Sequence, residues 1–126
     1  MQELSSGWSV DTHQNGEWLC LTLNTSLAQI EKTPINLADL IDRLIRQSLF
    51  KRVVVSLESM MYLPARLMRQ LILLRDKLEE RAGQLLLCGM SDQAYASVMA
   101  LGLEQTFPNY QGFDSATAKF RPARPR

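Results

Sequence analysis

Two short apolar runs, Val53-Val54-Val55 and Leu85-Leu86-Leu87, enclose one long segment of helical periodicity. The first run is β-branched throughout, which favours a strand. A strand with no polar alternation has to be covered on both faces. The segment between the runs follows Pro64 and reaches about Ala82, with Leu67, Met68, Leu71, Ile72, Leu74 and Leu78 as its apolar stripe. Gly83 is placed to stop it. A strand, a helix and a strand in direct succession require parallel pairing through a right-handed crossover. An α/β architecture with a buried parallel pair at its centre is therefore expected.

The flanking sequence supplies the other elements. Asn15-Gly16 is a hairpin-turn signal, because both residues tolerate positive φ. A strand from Trp8 precedes it, and residues 17–23 follow as a second strand, with Leu19, Leu21 and Leu23 on one face and Trp18, Cys20 and Thr22 on the other. Thr33-Pro34 reads as a helix start, with Thr as cap and Pro at the first helical position. Leu37, Leu40, Ile41, Leu44 and Ile45 then recur at helical spacing. Ser91, followed by Asp92, caps a further helix that Gly102 ends. Residues 103–107 read as a short last strand and residues 113–118 as a final helical turn. The expected domain spans residues 8–118, with flexible termini at 1–7 and 119–126. Its sheet is mixed, of four to five strands, with helices mostly on one face.

The chain has 126 residues, enough for one domain with its own core. Its net charge of +1 is unevenly spread. The tail KFRPARPR holds four basic residues and no acid, which leaves ten basic against thirteen acidic residues in the body. An acidic body argues against a nucleic-acid-binding surface, since phosphate neutralisation needs clustered Lys and Arg. The two cysteines, Cys20 and Cys88, each lie in an apolar run and form neither a zinc nor a redox motif. The first ten residues lack a basic-then-apolar signal pattern, and no apolar stretch approaches the length of a membrane span. No membrane insertion and a cytoplasmic location are expected. No P-loop, dinucleotide-binding glycine loop or nucleophile elbow occurs. The one histidine, His13, has no acidic or thiol cluster with it, so no metal, cofactor or catalytic residue is expected.

In order and spacing, VVVSL, the loop ESMMYLPARL, the helix to Glu80, the strand Gly83-Gln84-Leu85-Leu86-Leu87-Cys88-Gly89 and the closing Leu101-Gly102-Leu103 with Phe107 resemble the STAS family (sulfate transporter and anti-sigma factor antagonist). The resemblance implies a binding protein rather than an enzyme. It implies docking on a kinase-like anti-sigma factor, or service as an accessory subunit beside a transporter ATPase. It also implies a switch, a Ser or Thr in an Asp-Ser-Ser-Gly-like motif after the buried strand, whose phosphorylation adds charge and disrupts the interface. This sequence departs from that motif throughout. Pro64 stands at its Asp, Ala65 at the phospho-acceptor, Arg66 at the next Ser or Thr and Leu67 at its Gly. The standard switch is therefore expected to be absent.

The candidate partner-binding residues cluster there: Ser59, Met60, Tyr62, Pro64, Ala65, Arg66 and Arg69. A helix N-terminus attracts anions, and Arg66 and Arg69, one turn apart, add cations. An acidic patch of a partner or a phosphate would satisfy them, as would Glu58 of the chain itself or simple solvation by water. Met60, Met61 and Tyr62 suit an adaptable contact surface or the core beneath the helix, and are expected to divide between the two. Ser56 and Ser59 are the nearest remaining hydroxyls.

Overall fold

The computed structural model describes residues 2–119. Along the chain run β1 (Gln2–Ser5), β2 (Trp8–Asn15), β3 (Trp18–Thr25), α1 (Leu27–Ile30), α2 (Leu37–Ser48), β4 (Arg52–Ser56), α3 (Ala65–Glu80), β5 (Gln84–Cys88), α4 (Asp92–Ala100) and α5 (Phe113–Lys119). The five strands form one mixed sheet in the order β1-β2-β3-β4-β5. The β1–β2 and β2–β3 pairs are antiparallel, while β3–β4 and β4–β5 are parallel. Val53, Val54 and Val55 of β4 lie between Leu19, Cys20 and Leu21 of β3 and Leu85, Leu86 and Leu87 of β5. All nine are buried.

The period-two register divides the sheet between two cores. Leu19, Leu21, Leu23, Val53, Val55, Leu85 and Leu87 join the inner sides of α2, α3 and α4 in the main core. Trp18, Cys20, Val54, Leu86 and Cys88 face the other way, against Tyr110, Phe113 and Ala116 around α5. Helices thus lie mostly on one face, as expected. The two tryptophans anchor different cores: Trp8 the main one and Trp18 the smaller one.

Several boundaries differ from the sequence reading. The start of the chain, expected to be loose, supplies β1, which pairs with β2 through Gln2–Val10 and Glu3–Ser9. Thr33 does not cap α2: its hydroxyl donates to the Ile30 carbonyl at 3.3 Å, and α2 begins at Leu37 after Asn36. Residues 103–107 are turns rather than an edge strand, with Phe107 fully buried and its N–H donating to the Leu103 carbonyl at 2.8 Å. The edge of β5 instead meets Tyr110 in a single parallel bridge at Cys88. Helix α5 runs on to Lys119, and the rest of the basic tail lies outside the described residues. Ser91 caps α4 as expected, accepting from the Ala94 N–H at 3.1 Å. Among the described residues no helix is long and apolar enough to cross a membrane.

Candidate functional site

The candidate residues lie where β4 leaves the sheet and α3 begins. The connection is pinned first through its backbone. The Leu57 N–H donates to the Cys88 carbonyl at 2.9 Å, and the Met60 N–H turns back to the Leu57 carbonyl at 2.9 Å. Two apolar side chains then hold it from below, Met60 at 2% and Leu63 at 3% exposure. Met60, a candidate contact residue from sequence, is therefore a core residue. A buried side chain cannot touch a partner without unfolding the loop. Met61 takes the outward position, 55% exposed.

Polar contacts fix the loop to three neighbours. The Ser59 hydroxyl donates to Asn24 Oδ1 at 2.9 Å, at the end of β3. The Tyr62 hydroxyl donates to the Glu31 carboxylate just beyond α1, a hydrogen bond that raises its pKa above the ordinary phenol value and keeps the proton on Tyr62. The Ser91 hydroxyl donates to the Met61 carbonyl at 3.2 Å, from the turn before α4. Gly89 brings that turn close: a Cβ there would meet Ser56 Oγ at 3.1 Å and Glu58 Cβ at 3.3 Å, at a φ of +71°. Ser56 itself is buried, 3% exposed, beneath this turn.

Pro64 is the N-cap of α3, with φ −62° and ψ 155°, and Ala65 is the first helical residue. Pro64 contributes no side-chain cap, and the first turn holds no acidic residue. Ala65, Arg66 and Arg69 are exposed, while Leu67, Met68 and Gln70 face inward. Neither Arg66 nor Arg69 forms an ion pair among the described residues, and Glu58 does not serve Arg66. The helix runs from Ala65 to Glu80 without a single hydroxyl side chain.

The two free thiols are buried in the smaller core. Burial, chiefly, pushes the Cys88 pKa up to about 11, and burial likewise raises Cys20. A protonated, inaccessible thiol is neither a nucleophile nor a metal ligand.

No protein-family model matches the chain, and no curated protein matches it. Solved structures do. An anti-sigma factor antagonist from Mycobacterium paratuberculosis superposes with a TM-score of 0.70 at 16% identity, over 91% of this chain and 95% of that one. The anti-sigma factor antagonist SpoIIAA in its unphosphorylated form gives 0.66 at 14% identity, over 88% and 95%. A chain of the stressosome, a signal integration and transduction hub, gives 0.68 at 11% identity, over 86% and 94%. The fold is that of the anti-sigma factor antagonists. Within this STAS fold, the segment singled out in the sequence is the β4–α3 connection and the first turns of α3.

Sequence reasoning missed Asn24, Glu31 and Gln70, which hold the site in shape. Asn24 and Glu31 sit 35 and 31 positions from their partners, beyond any local pattern. Gln70 had a faint signal, as a polar residue beside the apolar stripe of α3.

The divided roles of the two methionines give a direct check. Met60→Ala should cost about 2 kcal/mol by removing a buried side chain. Met61→Ala should change stability by less than about 0.5 kcal/mol, as surface substitutions do. Urea unfolding of both variants measures the difference.

Proposed function

We propose that the chain is a non-catalytic protein-interaction module of the anti-sigma factor antagonist type. It docks on a kinase-like regulatory protein through the β4–α3 connection and the exposed start of α3. It does so without a phosphorylation switch. One observation carries this reading: the first residue of α3, directly after the buried β4 and its connection, is the exposed Ala65, in a helix with no hydroxyl side chain. In the STAS resemblance that position belongs to the phospho-acceptor. A methyl group accepts no phosphate, so binding competence there cannot be removed by the added charge of a phosphoryl group.

The neighbouring hydroxyls support the same reading. Ser59 is engaged with Asn24 and Tyr62 with Glu31, so both brace the connection. Facing outward with them are Glu58, Met61, Ala65, Arg66 and Arg69: one acid, one adaptable apolar side chain, one small one and two cations.

The test is capture from lysate of the source cell with the tagged chain, followed by mass identification and incubation of the captured protein with ATP and the chain. A kinase-like ATP-binding regulator is expected, with no phosphoryl group transferred to α3. Enrichment of permease and transport-ATPase components instead, or of nothing beyond an untagged control, would contradict the proposal.

A further inference from the structure

We infer that the groove between the α1–α2 connection and the first two turns of α3 receives an acidic, partly apolar segment of the partner protein. This rests on the interaction-module reading and adds the chemistry of what docks.

The groove is a pocket of about 250 Å³ lined by Thr33, Pro34, Ile35, Arg66, Arg69 and Gln70. Its shape is fixed by one buried side chain. Gln70, 7% exposed, accepts from the Ala38 N–H at 2.8 Å and donates to the Ile35 carbonyl at 3.0 Å. That amide ties the connection to α3 across more than thirty positions of sequence, so the two walls stand apart before any partner arrives. A preformed groove loses little freedom on binding.

The charge in the groove is uncompensated. Arg66 and Arg69 are exposed and unpaired among the described residues, and no acid lines the pocket. Two acids on the neighbouring elements are engaged elsewhere, Glu31 accepting from Tyr62 and Asp39 pairing with Lys77 at 2.9 Å, and Glu58, exposed on the β4–α3 connection, does not line the pocket. Two guanidinium groups with free forks suit carboxylates, which they grip in bidentate fashion.

The apolar component selects protein over a free anion. Ile35, at the rim, is 92% exposed, and Leu73, 42% exposed, lies on the Arg66–Arg69 side of α3 at i+7 and i+4. Inorganic phosphate would use the arginines and leave both aliphatic side chains in water. A segment carrying Asp or Glu beside Leu, Ile or Phe uses both.

The probe is a displayed library of random twelve-residue peptides, selected on the intact chain. Peptides pairing acidic with aliphatic or aromatic residues should be enriched. Their binding should fall about tenfold or more in R66E/R69E, and should weaken as salt rises. Ile35→Asp should weaken the same peptides. All three positions are exposed, so unfolding midpoints should stay unchanged. Neutral or basic consensus peptides, or acidic ones indifferent to both variants, would overturn the inference. So would inorganic phosphate alone, or phosphatidylglycerol vesicles alone, saturating the site in preference to peptide. A captured regulator that binds R66E/R69E undiminished overturns the groove and leaves the interaction module standing. Failure to capture any regulator, with acidic peptides still seated on the arginines, does the reverse.

Discussion

Gly83→Ala should destabilise the chain by more than about 3 kcal/mol, at the upper end of what overpacking costs, because the clash is with backbone. A Cβ at Gly83 would lie 2.4 Å from the Lys51 carbonyl oxygen and 3.0 Å from the Leu78 carbonyl oxygen. Neither atom belongs to a side chain that can swing aside. The Lys51 carbonyl also accepts from the Gln84 N–H at 3.0 Å, a contact that sets the entry of β5 beside β4. Moving it apart loosens the parallel pair at the centre of the fold. The sequence places Gly83 to stop the helix. The left-handed residue is Ala82 instead, at φ +61°, and Gly83 is required by close approach. Gly16 and Gly102 supply the contrast. Both have positive φ with nothing within 4 Å of a Cβ, so alanine there should cost only the left-handed backbone penalty of about 1–2 kcal/mol. Urea midpoints of the three variants separate the two mechanisms.

Asp42→Ala should cost about 3 kcal/mol at neutral pH, the low end for a broken buried pair, because both arginines keep some contact with water. Asp42 is 6% exposed on α2. It pairs with Arg81, just beyond α3, at 2.6 Å, and with Arg46 at 2.9 Å. Burial pushes its carboxyl up, but the hydrogen bonds and charges of Arg81 and Arg46 outweigh that and hold it below the ordinary carboxylate value. A depressed folded value means that the unfolded state takes up the proton first. The stabilisation is present above the unfolded carboxyl value of about 3.9 and is lost as the pH falls below it and on through the folded one. Asp42→Ala should therefore flatten the acid limb of the stability profile as well as lower its plateau. Arg46→Ala should cost less than about 0.5 kcal/mol, since Arg46 is 60% exposed in an i,i+4 pair. An acid limb equally steep in wild type and Asp42→Ala would refute this account of the triad.

These two sites mark what the sequence could disclose. The buried parallel strands, the crossover helix, the hairpin and the Ser91 cap were legible, because each is written in local periodicity or in one turn of capping chemistry. Strand β1 was not. Gln2-Glu3-Leu4-Ser5 has too little alternation to announce a strand, and its pairing with β2 is tertiary. Leu103 and Phe107 stand four apart, a turn spacing rather than a strand alternation, and an i→i+4 hydrogen bond joins them. At the site, Pro64, Ala65, Arg66 and Leu67 could be singled out without a structure. Which methionine faces inward could not, since a loop has no period. The grip of Tyr62 on Glu31 and of Gln70 on residues 35 and 38 depends on elements brought together by the sheet.

The most direct measurement is amide hydrogen exchange of the chain alone and bound to its captured regulator. The account predicts slowed exchange concentrated in residues 59–73 and 33–36, with the β1 edge and α5 unchanged. Slowed exchange on the β1 edge or over α5, with the start of α3 unaffected, would contradict it.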